Sequence, residues 1–212
     1  MFEVIPSPGT DNRSWEAIHR RIEIAKSFAK TIHIDIIDGK FAPNTTFLDP
    51  LPFKKFTSDL FFELHMMVEN PIQYLKPFAD VGFKRFLGHI EKMPDQEEFV
   101  AKAQSFGEVG LAIDGPTPLS MITIPYEDLD CVLVMTIKAG ESGQEFVPEY
   151  LKKVETLRQA QGDIVIEVDG GINDQTLPLT KAAGANRFVS TSFIFNAQNP
   201  QEQYNLLKKC LE

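Results

Sequence analysis

The sequence contains little cysteine and no long hydrophobic run. Its only cysteines, Cys131 and Cys210, form no C-x-x-C pair, which argues against a disulfide framework and indicates a reducing compartment. No apolar run approaches the ~18 residues that a membrane span requires. The charged start, MFEVIPSPGTDNR, lacks the apolar core of a signal peptide. We therefore expect a cytoplasmic protein that does not enter a membrane.

Basic residues are also few, with 21 Lys and Arg against 30 Asp and Glu, so the formal net charge is −9. This charge would repel a phosphate backbone, and nucleic acid is therefore not an expected partner. A small anionic metabolite is still allowed, because backbone N–H groups at helix N-termini bind phosphate without net positive charge. With 43% hydrophobic and 24% charged residues, the composition is that of a globular protein and excludes disorder and coiled coils.

Eight short segments rich in β-branched or aromatic residues alternate with stretches of helical periodicity. Several of these segments are almost entirely apolar, which is typical of parallel strands buried on both faces. The helical stretches include 14–30 and 148–162, and a last helix runs from about Pro200 to Cys210. The predicted strands are 2–5, 31–35, 60–66, 84–88, 109–113, 130–135, 163–168 and 186–190.

Eight strands in strict alternation with seven or eight helices fit a closed (β/α)₈ barrel or an open doubly wound sheet. No G-x-G-x-x-G follows the first strand, as it would in a dinucleotide-binding sheet. The sequence therefore predicts an α/β protein built as a single (β/α)₈ TIM barrel. Because no linker or internal repeat interrupts the series, we expect one domain over residues 1–212.

Histidine and aspartate side chains, which can bind metals or transfer protons, lie where these strands end. Barrel enzymes place their active sites at the strand ends. His33 and Asp35 are two residues apart on the second strand and so point to the same face. His65 lies on the third strand and Asp169 ends the seventh. Two imidazoles and two carboxylates at one barrel mouth predict a site for one divalent metal ion: Zn²⁺, Fe²⁺, Mn²⁺ or Co²⁺. The alternative to metal binding is that each histidine, taken singly, is a hydrogen-bonded residue of the core.

Polar or glycine-rich turns follow the last three strands. Loops after strands seven and eight of a barrel commonly hold phosphate through backbone N–H groups. The alternative is that the glycines only allow tight turns with positive φ. The candidate substrate-binding residues are Gly140, Gly143 and Gln144 after strand six, Gly170 and Gly171 after strand seven, and Ser190, Thr191 and Ser192 after strand eight.

Seven segments match the motifs of one known family, in order, over nearly the whole chain. They are IPS (5–7), HIDIIDGKFAPNTTF (33–47), ELHMMVENP (63–71), GHIE (88–91), GLAIDGPTPL (110–119), MTIKAGESGQEFVPE (135–149) and IEVDGGIN (166–173). On these motifs the chain resembles the ribulose-phosphate 3-epimerases, which are metal-dependent TIM-barrel isomerases of the pentose phosphate pathway. The resemblance implies carbohydrate metabolism, a small sugar-phosphate substrate and a homo-oligomer.

The resemblance also assigns roles to individual residues. The four predicted metal-site residues correspond to the family's metal ligands, and Asp35 and Asp169 also match its acid/base pair. This implies interconversion of D-ribulose 5-phosphate and D-xylulose 5-phosphate by proton transfer at C3 through a metal-stabilised enediolate. Ser7, Met67 and Met135 match residues beside the substrate.

Several positions on the phosphate side depart from the family pattern. In the loop after strand six, Ala139, Glu141 and Ser142 replace the usual proline, phenylalanine and glycine, and Thr191–Ser192 replaces a glycine–serine pair. Two further functions therefore stay open: a 3-epimerase of a ketohexose 6-phosphate such as allulose 6-phosphate, and a non-catalytic metal or sugar-phosphate binding barrel. A related decarboxylase pattern, D-x-K-x-x-D, is not present at 35–38.

Overall fold

The computed structural model describes residues 2–11 and 13–212 and places eight parallel strands in one sheet. The strands are β1 (Glu3–Pro6), β2 (Thr31–Ile37), β3 (Phe61–Met67), β4 (Arg85–His89), β5 (Glu108–Ile113), β6 (Cys131–Met135), β7 (Val165–Asp169) and β8 (Arg187–Ser190). Hydrogen bonding follows the order β1-β8-β7-β6-β5-β4-β3-β2, and Cα atoms of β1 and β2 approach within 8 Å. The sheet is thus a nearly closed barrel, and the predicted fold class is confirmed.

The α-helices cover the outside of this barrel. They are α1 (Trp15–Ala25), α2 (Ile72–Val81), α3 (Gln96–Gln104), α4 (Leu151–Ala160), α5 (Thr176–Ala183), α6 (Ser192–Phe195) and α7 (Pro200–Lys209). In the part of the chain that the structure describes, no helix is long and apolar enough to span a bilayer. The predicted helix 14–30 ends earlier, at Ala25, and the one predicted at 148–162 begins with a 3₁₀ turn, Pro148–Tyr150.

The prediction of strict strand–helix alternation is wrong at two connections. Between β2 and β3 the chain forms only a 3₁₀ helix, Leu51–Lys55, and between β5 and β6 only two short ones, Leu119–Met121 and Tyr126–Asp128. Repeated proline is the physical reason, because each one lacks the N–H that an α-helix interior needs, and α2 accommodates only one, Pro77. Both stretches are proline-rich, with Pro50 and Pro52 in the first and Pro116, Pro118 and Pro125 in the second.

Alternation along each strand divides the core into two parts. On β2, Ile32, Ile34 and Ile36 face outward and join the large cluster under the helices. The residues between them, including His33 and Asp35, face into the barrel. The barrel interior also holds a smaller apolar cluster, made of Ile37, Met67, Leu87, Ala112, Cys131, Leu133, Met135, Ile137 and Ala139. Polar groups inside the barrel therefore sit in apolar surroundings and require partners.

Candidate active site

Four predicted side chains meet at the carboxyl ends of the strands. His33, Asp35, His65 and Asp169 each offer one ligand atom, and these atoms all lie within 4.8 Å of one another. The sheet register explains part of this, because Asp35 and His65 are directly paired across β2 and β3. Asp169 reaches the cluster from β7, which does not neighbour either strand.

One nitrogen atom of each imidazole points at the two carboxylates. His33 Nε2 lies 3.3 Å from Asp35 Oδ1 and 3.9 Å from Asp169 Oδ2. His65 Nδ1 lies 2.9 and 3.6 Å from the same two oxygens. Among residues 2–11 and 13–212, the buried Nε2 of His33 finds no hydrogen-bond partner. A buried nitrogen without a partner, beside a second imidazole and two carboxylates, is a donor set that suits a divalent transition metal.

The two carboxylates of this cluster have opposite protonation tendencies. Burial disfavours the charged form of Asp35, but His33 and His65 outweigh it and hold the pKa of Asp35 well below its usual range. Burial and the neighbouring Asp35 carboxylate instead raise the pKa of Asp169 to about 8. One carboxylate therefore favours the ionised form and the other the protonated form, which is the division that acid/base pairs require.

The two imidazoles also differ. Burial opposes a charge on His33, but Asp35, Glu167 and Glu63 outweigh it and raise the pKa of His33 well above its ordinary value. Burial lowers the pKa of His65 to about 4, with a further contribution from His89, whose ring stacks on it at 4.9 Å. His65 thus favours the neutral form that a metal ligand needs, and a cation beside His33 would replace its proton.

A pocket opens above this cluster and contains most of the predicted substrate-binding residues. Its walls also include Thr10, Ile137, Ile172 and Val189, which the sequence analysis did not select. Ile137 and Ile172 lie within two of the matched segments, and Thr10 and Val189 lie close to the predicted Ser7 and Ser190, but nothing in their residue types marks them. The predicted residues that line the pocket are Asp35, Met67, Met135, Gly140, Gly143, Asp169, Gly170, Gly171, Thr191 and Ser192.

Three predicted substrate-binding residues lie beside the pocket instead of lining it. Ser7 is fully buried and donates a hydrogen bond of 2.7 Å to Asp35 Oδ2. Gln144 turns into its own loop and donates to the carbonyls of Lys138 and Glu141. Ser190 is buried and donates to the carbonyl of Ile172. Their contacts support Asp35 and two loops, which the sequence could not specify because loop side-chain directions depend on the fold.

The glycines after β7 are required by their surroundings as well as by the turn. Gly170 and Gly171 have φ of +119° and +68°, where residues with a Cβ are strained. A Cβ on Gly170 would also lie 2.6 Å from Ile137 Cγ1, and one on Gly171 would lie 2.8 Å from Phe146 Cβ. The β7 turn therefore brings its backbone against the loop that follows β6, at the edge of the pocket.

The barrel and its His₂Asp₂ cluster, with both imidazoles buried, define a (β/α)₈ protein with a candidate metal site at the mouth. The sequence profile described as the ribulose-phosphate 3 epimerase family matches residues 14–195. The chain therefore belongs to this family of enzymes. A ribulose-phosphate 3-epimerase of Schizosaccharomyces pombe is 38% identical over 177 residues, covering 81% of this chain and 77% of the relative. The one from Bacillus subtilis is 34% identical over 181 residues, covering 82% and 83%.

Solved structures with much lower identity share the fold. A 3-hexulose-6-phosphate synthase from Salmonella typhimurium superposes with a TM-score of 0.72 at 11% identity, covering 99% of this chain and 98% of that one. A phosphoribosyl anthranilate isomerase from Thermus thermophilus gives 0.69 at 14% identity, covering 99% and 98%. At such identities the likeness concerns the barrel alone, and the chemistry must be argued from the site.

Proposed function

We propose that this enzyme interconverts D-ribulose 5-phosphate and D-xylulose 5-phosphate by moving the proton at C3. The observation that carries the proposal is the meeting of two carboxylates, Asp35 from β2 and Asp169 from β7, beside two imidazoles at the base of one pocket. Relatives at 34–38% identity bear the name of this activity. Family membership and site chemistry thus support the same reaction.

Four residues would hold one divalent ion in this reaction: His33, Asp35, His65 and Asp169. When bound, such an ion supplies Lewis acidity that stabilises negative charge developing on the substrate oxygens. The protein residues keep the site dry, since both imidazoles are fully buried and Met67 and Met135 cover it with apolar surface. Which of Zn²⁺, Fe²⁺, Mn²⁺ or Co²⁺ is used stays open, because the same ligands accept each of them.

Asp35 and Asp169 divide the proton transfer between them. Asp35, ionised and held by the hydroxyl of Ser7, removes the C3 proton from the substrate. Asp169, in its protonated form, donates a proton to the other face of C3. Inversion needs two groups on two sides, and these carboxylates come from β2 and β7, which are not neighbouring strands. In the reverse direction their roles exchange.

The phosphate would lie at the end of the pocket formed by the loops after β7 and β8. Gly170, Gly171, Thr191 and Ser192 all line this end. Backbone N–H groups of these turns and the hydroxyls of Thr191 and Ser192 are donors suited to a phosphate dianion. Glu141 lines the same pocket, and its charge would oppose a dianion unless the side chain turns to solvent.

A coupled epimerisation assay tests the proposal directly. The protein is freed of metal with a chelator, reloaded with each of the four divalent ions, and assayed with D-ribulose 5-phosphate. We expect turnover to require an ion and to disappear in the His33→Ala variant. His19→Ala is the matched control, because His19 lies on the outer helix α1. A metal-loaded protein that turns over neither pentulose phosphate would contradict the proposal.

A ketohexose 6-phosphate such as allulose 6-phosphate is a second candidate substrate. It is favoured by Thr10, Glu141 and Ser142, which add polar groups to the pocket wall and can bind an additional sugar hydroxyl. The ratio of kcat/KM for the two sugar phosphates decides between them. Proton exchange at C3 of either substrate rejects the third candidate, a non-catalytic binding barrel. A cytoplasmic location and a homo-oligomeric state stay predictions.

A further inference from the structure

The barrel interior below the candidate metal site is charged. Strand register places Glu63, Arg85, Glu108, Glu167 and Arg187 on the inward faces of neighbouring strands. We call these five residues the charged layer. Branched apolar residues normally fill this part of a TIM barrel. Burying charges costs several kcal/mol for each ion unless they are paired, so a layer of this kind calls for a functional reason.

The charged layer touches the metal site through one hydrogen bond. Glu63 Oε1 lies 2.6 Å from His33 Nδ1, and both side chains are fully buried. The two residues are direct register partners on β3 and β2, so the contact follows from strand pairing. Because Glu63 occupies Nδ1, the other ring nitrogen, Nε2, is the one that faces Asp35 and Asp169.

Arginine holds the other oxygen of the same carboxylate. Arg85 Nη1 donates to Glu63 Oε2, and Arg85 Nε donates to Glu108 Oε2 at 2.7 Å. Burial opposes the ionised form of Glu63, but His33 and Arg85 outweigh it and lower its pKa to about 2. Glu63 is therefore a fixed carboxylate with one oxygen left to orient His33.

We propose that Glu63 is a positioning residue for the metal ligand His33. Its carboxylate accepts a hydrogen bond from Nδ1–H, selects the tautomer with a free lone pair on Nε2, and fixes the ring plane toward the ion. Carboxylates that bind the far nitrogen of a ligating histidine act in this way. The inference rests on the proposed function only in requiring that the site binds a divalent ion.

The same contacts also suggest a second metal site at Glu63, but they fit it less well than they fit a positioning role. His33, Glu63 and Glu167 also bring ligand atoms within 4.8 Å of one another. An ion there would need Nδ1 of His33 without its proton, while Nε2 is turned toward the first site. It would also compete with the guanidinium of Arg85, which already pairs with Glu63. Glu167 Oε1 lies farther from Nδ1, at 3.4 Å.

The test compares two variants that each remove a carboxylate partner of Arg85. Glu63→Met removes the contact with His33, whereas Glu108→Gln is the matched control because Glu108 lies outside the metal cluster. Co²⁺ affinity, measured against a competing chelator, should fall about 10- to 100-fold in Glu63→Met and stay unchanged in Glu108→Gln. The visible absorption of bound Co²⁺ should change only in the first variant. Glu63→Gln, which keeps an oxygen acceptor, should recover part of the affinity.

The unmodified protein provides a measurement that does not depend on a variant folding. In ¹H–¹⁵N NMR of the Zn²⁺-loaded protein, we expect His33 to carry its proton on Nδ1, with a downfield-shifted resonance. A proton on Nε2 overturns the positioning role of Glu63. Unchanged Co²⁺ affinity and an unchanged spectrum in folded Glu63→Met also overturn that role, and neither result by itself rejects the metal site. A parent protein that binds no divalent ion overturns both this role and the proposed metal site, so the two failures are distinguishable.

Discussion

Thr10 and Ser142 exchange hydrogen bonds across the mouth of the barrel. The backbone N–H of Thr10 donates to Ser142 Oγ at 3.0 Å, and the N–H of Ser142 donates to Thr10 Oγ1 at 2.8 Å. One residue follows β1 and the other follows β6, and both line the pocket. Asn44 adds a hydrogen bond of 2.6 Å to the carbonyl of Gly140. Three loops are thus joined above the carboxylates.

Ser142→Ala should weaken substrate binding more than catalysis. The substitution removes the acceptor of the Thr10 N–H, and one hydrogen bond of this kind contributes about 1 kcal/mol. We expect KM for the sugar phosphate to rise about 3- to 10-fold, with a smaller change in kcat. Steady-state kinetics measure both. Ser105→Ala, which removes a hydroxyl bonded to the carbonyl of Lys102 in its own helix, should change neither.

If Asp35 and Asp169 each serve one face of C3, removing one of them should do more than lower the activity. It should also change which epimer exchanges its C3 proton with solvent. Asp169→Asn should lower the rate of epimerisation by about 10²- to 10⁴-fold, because one proton-transfer group is removed. Asp35 is still present, so one of the two epimers should exchange its C3 proton with D₂O without inverting. NMR of each substrate in D₂O measures this exchange.

Asp35→Asn should show the converse pattern, with exchange retained in the other epimer. Asp163→Asn, in an exposed turn before β7, is the control and should behave as the parent does. Exchange of both epimers at equal rates in either active-site variant would mean that a single group serves both faces.

Glu91 should stabilise the fold at neutral pH and lose this effect in acid. Burial raises the pKa of Glu91, but His89 and backbone N–H groups outweigh it and lower the value from 4.5 to about 2. A lowered folded-state pKa gives stability that is present above the unfolded value and lost as pH falls toward the folded one. The window is therefore from about pH 5 down to pH 2, and the effect is ~3 kcal/mol.

Urea unfolding across this range measures the contribution. The difference in unfolding free energy between the parent and Glu91→Gln should be largest near pH 7 and shrink as pH falls below 4.5. Glu97→Gln, on the exposed side of α3, should show no such pH-dependent difference. A constant difference between parent and Glu91→Gln from pH 7 to pH 3 contradicts this account.

The ring of Phe53 should hold the 3₁₀ helix between β2 and β3 against the core. Phe53 is fully buried and packs against Trp15, Phe62 and Phe83 at centroid distances of 5.0–6.0 Å. Phe53→Ala should lower the unfolding free energy by about 3–5 kcal/mol because it leaves a cavity. Leu51 is in the same turn but 69% exposed, so Leu51→Ala should cost less than about 0.5 kcal/mol. Chemical denaturation measures both values.

The sequence was sufficient to predict the barrel and the convergence of His33, Asp35, His65 and Asp169 for a simple reason. Strand periodicity puts His33 and Asp35 on one face, and barrel geometry gathers strand ends, so no side-chain detail was needed. Glu63 is visible in the sequence as a charge on a strand that also carries His65, yet its partner could be found only from register. The direction of Gln144 depends on contacts within its loop, which local pattern does not encode.

The missing helices show a second limit. The repeating βα pattern predicts a helix between β2 and β3, although Pro50 and Pro52 disfavour an α-helix there. The prolines give a 3₁₀ helix at this connection in place of the α-helix that the repeating βα pattern predicts. The same holds between β5 and β6, where Pro118 and Pro125 precede the two short turns.

The position of Cys131 inside the barrel has a practical consequence for labelling. Its thiol is fully buried, and burial raises its pKa, so it should stay unreactive toward maleimides while the barrel is folded. Cys210 lies at the end of α7 and is only partly covered. The native protein thus offers one attachment point for a fluorophore or spin label, on the outer layer of helices. Appearance of a second reactive thiol would report opening of the barrel itself.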